Sequence, residues 1–203
     1  MTDGPEPRAF GRPLAQRRPP LCPEITLGLL DGGIDLEAAC RDLDACHPPP
    51  YWAFCWGAGQ ALARFLLDRP DAVRGRCVVD FGSGCGVVAI AAALCGAARV
   101  TAVDTDPVAR AAARRNAARN GVLIHTASEA PCCADVVLAA DVLYEAGCLD
   151  WLTERRRAGS EVLVADPERA ASPRLPGPAL ARYAVHTLPD VDSPSGAAAV
   201  FRL

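Results

Sequence analysis

The segment Cys77–Gly86, C-V-V-D-F-G-S-G-C-G, constrains this 203-residue chain more than any other. A short apolar run ends in an acid and glycines follow at alternate positions. An apolar stretch then runs from Val87 to Ala98. That is the pattern of a buried strand turning at once into a buried helix, with glycines letting the backbone turn tightly and approach a ligand. The alternation continues downstream. Strands are expected at Cys77–Phe81, Val100–Val103, Val122–His125, Asp135–Ala140 and Glu161–Ala165. Helices are expected at Val87–Cys95, Pro107–Asn120 and Leu149–Ala158, the second opened by Pro107 and closed by Gly121. Tyr183–Leu188 and Ala198–Leu203 read as a closing antiparallel pair. This order implies an α/β fold, a mostly parallel sheet with helices on both faces. Ligands of such sheets sit at the carboxyl ends of the strands, so the loops after Phe81, Val103, His125, Ala140 and Ala165 should carry the chemistry.

Upstream, residues 1–23 are rich in Pro and Arg, lack periodicity, and read as a flexible arm. Residues 24–203 read as one domain: an N-terminal helical extension over 24–74 and the core over 75–203. The extension contains a helical stretch near Leu36–Cys46, a rigid spacer His47-Pro48-Pro49-Pro50, and helical spacing over Tyr51–Asp68. With 51% hydrophobic and 22% charged residues the domain can bury a core. A net charge of −3 argues against a protein that grips nucleic acid backbones. The chain contains no lysine, which excludes a Walker-type phosphate loop, a pyridoxal Schiff base and any lysine nucleophile. No apolar run is long enough for a transmembrane helix. The ten cysteines form no C-x-x-C, and Cys40, Cys46 and His47 lack a fourth ligand nearby, so no metal is expected and the thiols read as free. Free thiols indicate a reducing, intracellular compartment. Arg8, Arg12, Arg17 and Arg18 leave a transit peptide open, against which stand Asp3, Glu6 and the lack of serine.

The glycine loop fails the dinucleotide fingerprint, because counting from Gly82 the sixth position is Val87. An acid followed by G-x-G-x-G resembles instead the first motif of the class I S-adenosylmethionine-dependent methyltransferases. The resemblance implies a Rossmann-like, seven-stranded sheet with an antiparallel last strand. It implies cofactor contacts at Asp80, Gly82, Ser83, Gly84 and Gly86. After the second strand, Asp104 is a strong acceptor suited to two ribose hydroxyls, while Asp106 suits the cap of the helix at Pro107.

A narrower resemblance follows from Pro50-Tyr51-Trp52-Ala53, Trp56, Gly59–Asp68, Pro70-Asp71 and Val73-Arg74-Gly75. From about Pro23 onward the chain is similar to the lysine methyltransferases that modify the beta subunit of electron transfer flavoprotein. Asp141-Val142-Leu143-Tyr144 matches the D-x-x-Y motif of seven-strand lysine methyltransferases. Asp166-Pro167-Glu168-Arg169 is close to a D-P-G-R element, with Glu168 in place of its glycine, and Gly57 stands where a proline is expected after Trp56. The resemblance implies Asp141 and Tyr144 as the catalytic pair and Trp56 and Ala140 as further cofactor contacts. It implies Trp52, Asp166 and Arg169 on the substrate side. A helix cap at Asp141 and ordinary aromatic packing at Tyr144, Tyr51 and Trp52 stand as the structural alternatives. The motif is not N-P-P-Y, which argues against base amines and glutamine. The expected partner is electron transfer flavoprotein beta subunit, acted on by a monomer in the mitochondrial matrix of an animal or the cytoplasm of a bacterium. Another protein such as a ribosomal one, a small amine, or a silent cofactor-binding domain are the competing readings.

Overall fold

A computed structural model describes residues 8–41, 49–167, 173–191 and 196–203. In the N-terminal part, β1 (Leu14–Arg17) pairs antiparallel with β2 (Leu27–Leu30), and α1 (Leu36–Arg41) follows. After a single 3₁₀ turn at Tyr51–Ala53 come α2 (Gly57–Asp68), β3 (Cys77–Phe81), α3 (Val87–Leu94), β4 (Arg99–Val103), α4 (Pro107–Arg119) and β5 (His125–Ala127). The chain then crosses to β6 (Val136–Ala140), α5 (Cys148–Arg157), β7 (Glu161–Asp166), β8 (Ala181–Val185) and β9 (Gly196–Arg202).

The main sheet has seven strands in the order β5-β4-β3-β6-β7-β9-β8, and β9 alone runs against its neighbours. Alternate residues serve opposite faces, as strand geometry requires. Val78, Leu138 and Leu163 pack with Leu62, Leu66 and Ile90 of α2 and α3. Val79, Val137 and Val162 pack with Leu152 of α5 on the other side. Because β3 lies between β4 and β6, the chain winds away from it in both directions. That reversal leaves a crevice at the carboxyl ends of β3, β4 and β6.

Three expectations are corrected. Residues 8–23 are not a flexible arm: they contain β1, and Ala9 and Cys22 are buried. Three of the arginines whose abundance suggested a flexible arm act as local staples. Arg17 pairs with Asp31, Arg12 donates to the Asp31 carbonyl, and Arg18 donates to the Pro23 carbonyl. The 24–74 extension is not wholly helical, because it holds β2, every residue of which is buried. The third core strand begins at His125 rather than Val122. Val122 N–H donates back to the Ala117 carbonyl at 3.1 Å, so the apolar residues after Gly121 still belong to the closure of α4. The Leu36–Cys46 helix is observed to Arg41; residues 42–46 lie outside the described residues.

Candidate active site

A cavity of about 960 Å³ opens at the crevice. Its floor is the turn from β3 into α3. Gly82 and Ser83 N–H both donate to the Val103 carbonyl at 2.9 and 3.0 Å, which fastens the turn to β4. Gly82 has φ +71°, and a Cβ there would lie 2.6 Å from Val142 Cγ1. No other residue fits that position without a shift. Gly84 N–H donates to Asp104 Oδ2 at 2.9 Å, while Asp104 Oδ1 accepts from Asp106 N–H at 3.0 Å. Asp104 thus braces the two cofactor-side loops together, and burial raises its pKa above the usual carboxylate value. Arg110 supports the same loop by donating to the Asp104 and Thr105 carbonyls at 2.7 and 2.9 Å. Asp106 caps α4 through Val108 N–H at 2.7 Å, as its sequence position suggested.

The far end of the cavity is built after β6. Ala140 lines it, and Asp141 follows with φ +56°, a left-handed conformation rare outside glycine. Asp141 N–H donates to the Ala165 carbonyl at 3.1 Å, and Val142 and Leu143 are buried, so the turn is held in place. No helix starts at Asp141; α5 begins at Cys148, capped by Gly147. The helix-cap alternative therefore fails. Tyr144 is 71% exposed at the rim, so packing does not account for it either.

The structure separates the remaining expected residues. Trp56, Gly82, Gly84, Asp104, Ala140, Asp141, Tyr144 and Trp52 all line the cavity. Trp52 is only 4% exposed, and a Cβ on Gly84 would lie 3.9 Å from its Cα, so it sits against the glycine loop rather than at the substrate mouth. Tyr51, 44% exposed, takes the outer position, with its carbonyl accepting from Trp56 Nε1 at 3.0 Å. Asp80, Ser83 and Gly86 do not line the cavity; they hold the loop from behind. Asp80 is buried, and its Oδ2 accepts from Ala89 N–H at 3.0 Å in the first turn of α3. It supplies the acceptor that the helix's own N-cap, Gly86, cannot. Burial pushes the Asp80 carboxyl up to about 7. Asp166 is buried at the end of β7 and also lies outside the cavity lining. Arg169 lies outside the described residues.

Residues not anticipated from sequence complete the walls. Phe81 and Trp151 stack at 4.3 Å with an 18° interplanar angle, and both line the cavity. Nothing in the α5 sequence distinguishes Trp151 from a packed helix residue; the signal is its tertiary partner. Glu129 and Glu145 also line the site. Among the described lining residues five are acidic (Asp104, Asp106, Glu129, Asp141, Glu145) and none is basic. Among the described residues no three metal-ligating side chains are grouped to hold an ion.

Residues 65–146 match the family model of ribosomal protein L11 methyltransferase. The chain is 37% identical over 188 residues to the rat electron transfer flavoprotein beta subunit lysine methyltransferase, covering 84% of this chain and 71% of the relative. The chain belongs to the electron transfer flavoprotein beta subunit lysine methyltransferase family. The human member is 41% identical over 164 residues, and the chain spans 61% of its length. In fold the chain resembles a Pyrococcus horikoshii protein described as a candidate RNA methyltransferase, with a TM-score of 0.58 at 16% identity, covering 82% of this chain and 94% of the other. This member of the family is a methyltransferase, and its methyl donor is S-adenosylmethionine. The cavity fits that cofactor. It is large enough for a ligand of this size, its glycine floor presents no Cβ, and Asp104 lines it. The buried Ser83 hydroxyl in the same loop has no hydrogen-bond partner among the described residues.

Proposed function

We propose that this chain methylates lysine side chains of electron transfer flavoprotein beta subunit. The observation that carries the lysine assignment is the lining of the cavity: five carboxylates, no basic group, and aromatic walls. Such a site draws in a cation and disfavours a phosphate backbone. The substrate protein itself is taken from the names of the relatives, which the family membership supports.

The bound S-adenosylmethionine supplies the methyl group. The chain's own residues prepare the acceptor. A lysine ammonium must lose a proton before its nitrogen can attack. Asp141, held in its left-handed turn, would attract the ammonium and, once its proton has passed to solvent, orient the amine toward the bound cofactor. Tyr144 at the rim offers an aromatic face to the alkyl-ammonium stem and a hydroxyl to the amine. The Phe81–Trp151 stack and Trp52 exclude water from the inner wall. The nine described cysteines are all free, which supports an intracellular, reducing location.

The test is mass spectrometry of recombinant electron transfer flavoprotein beta subunit incubated with the enzyme and labelled cofactor. Wild type is expected to add methyl groups to lysine. Asp141→Ala is expected to keep S-adenosylhomocysteine affinity and lose about two to four powers of ten in rate. Asp141→Asn separates the charge from the shape. An unmodified beta subunit would refute the substrate, and full activity in Asp141→Ala would refute the role of Asp141.

A further inference from the structure

We propose that Asn116 is a positioning residue for the cofactor loop, and that through it the N-terminal strand pair β1–β2 becomes part of the cofactor site. The proposal rests on the reading of the cavity as the S-adenosylmethionine site. Asn116 lies on the inner side of α4 and is 1% exposed. Its Nδ2 donates to the Cys85 carbonyl at 2.9 Å, inside the glycine loop. Its Oδ1 accepts from Gly28 N–H in β2 at 2.7 Å and from Arg119 Nη1 at 3.0 Å. A side-chain amide carries both donor and acceptor, so it can hold a carbonyl on one side and a peptide N–H on the other.

Cys85 stands between Gly84, which lines the cavity, and Gly86. At Gly86 α4 comes so close that a Cβ would lie 3.0 Å from Ala113 Cβ, at a φ of +83°. Ala113 and Asn116 are three apart and share a face of α4. The helix therefore grips the loop at two consecutive residues and uses the same asparagine to grip β2. Asn120, one turn on, ties the strand pair separately. Its Oδ1 accepts from Thr26 N–H at 2.8 Å and its Nδ2 donates to the Thr26 carbonyl at 2.7 Å. Its bonds reach the approach to β2 and α4 itself, not the loop. The segment whose composition suggested a loose arm thus buttresses the floor of the cofactor cavity from behind.

Asn116→Asp keeps the acceptor toward Gly28 and Arg119 and loses the donor toward Cys85. In calorimetric titration of the full chain with S-adenosylhomocysteine, its Kd is expected to rise about tenfold. In any methyl-acceptor assay KM for the cofactor rises in step, with kcat within about twofold of wild type. Asn120→Ser loses the bonds to Thr26 and to the Asn116 carbonyl but leaves both Asn116 side-chain bonds, to Cys85 and Gly28, in place, and is expected to raise Kd by no more than about twofold. In the wild-type protein, S-adenosylhomocysteine is expected to slow amide exchange at Gly28, which lies outside the cavity lining. Wild-type affinity in a folded Asn116→Asp overturns the proposal, as does equal weakening by Asn120→Ser. If Asn116→Asp does not fold, unchanged Gly28 exchange on binding overturns it. Failure of wild type to bind S-adenosylhomocysteine at all would instead refute the cofactor reading.

Discussion

Replacing Asp80 by Asn should make the protein more stable as the pH rises, and the reason lies in its burial. The Asp80 carboxyl is 1% exposed and pushed up to about 7, first by burial and then by the neighbouring charge of Asp104, against which the Ala89 N–H works. The ordinary carboxyl value is 3.8. Below that value both the folded and the unfolded chain carry the proton, and folding costs nothing electrostatically. As the pH rises toward about 7 the unfolded chain gives up its proton while the folded chain retains it. Stability then falls by about 1.4 kcal/mol per unit. The full loss is on the order of 4 kcal/mol once the folded pKa is passed. Asn keeps an oxygen for Ala89 N–H and cannot ionise. Its extra amide hydrogens add a constant offset that does not vary with pH. Urea unfolding of both proteins from about pH 5 to 8.5 should therefore show the variant gaining roughly 3 kcal/mol on wild type across the range. Asp104, also raised by burial, is present in both proteins, so only its coupling to Asp80, the smallest of the three causes, differs between them. A difference that stays flat with pH, or wild type gaining on the variant above neutrality, would show that Asp80 is ionised in the folded state and that its burial has been misjudged.

Asp104→Ala removes two charge-assisted bonds, to Gly84 and Asp106 N–H, and an acceptor that lines the cavity. Calorimetry should find S-adenosylhomocysteine bound about 2–3 kcal/mol more weakly. Gly82→Ala combines a left-handed backbone with a Cβ 2.6 Å from Val142 Cγ1. It should destabilise the fold by about 2–4 kcal/mol in thermal unfolding and abolish detectable cofactor binding.

The sequence is most legible where structure is decided locally. The limits of β3, α3, β4, β6, α5 and β7 follow their apolar runs to within a residue or so, because each run is bounded by glycine, proline or charge. The same holds for the site. Gly82 and Gly84 are set by a tight turn, Asp104 by the end of its strand, and Asp106 by the helix it caps. Legibility fails where a distant partner decides. The strand at Leu14–Arg17 exists because the buried β2 lies beside it, and no window of residues 1–23 contains that fact. Trp151 becomes a wall of the cavity only through Phe81, seventy residues upstream. Asp80 reads as a cofactor contact because it precedes the glycines, yet the fold points it to the other side of the loop, at the buried first turn of α3.

Asp141 shows both limits in one residue. The D-x-x-Y pattern identifies it, but not the conformation that makes it useful. A non-glycine residue in the left-handed region costs about 1 kcal/mol or more, and the chain accepts that cost only where its surroundings fix the turn. Here the Ala165 carbonyl of the next strand holds the backbone, and Val142 and Leu143 are buried beneath it. Val142 in turn is the side chain that a Cβ on Gly82 would strike. The glycine floor and the acidic turn are thus one packing unit: the absence of a side chain at Gly82 leaves the space that lets Val142 anchor Asp141 over the cavity. Cofactor loop and acceptor turn, read from separate motifs, are coupled through a single valine.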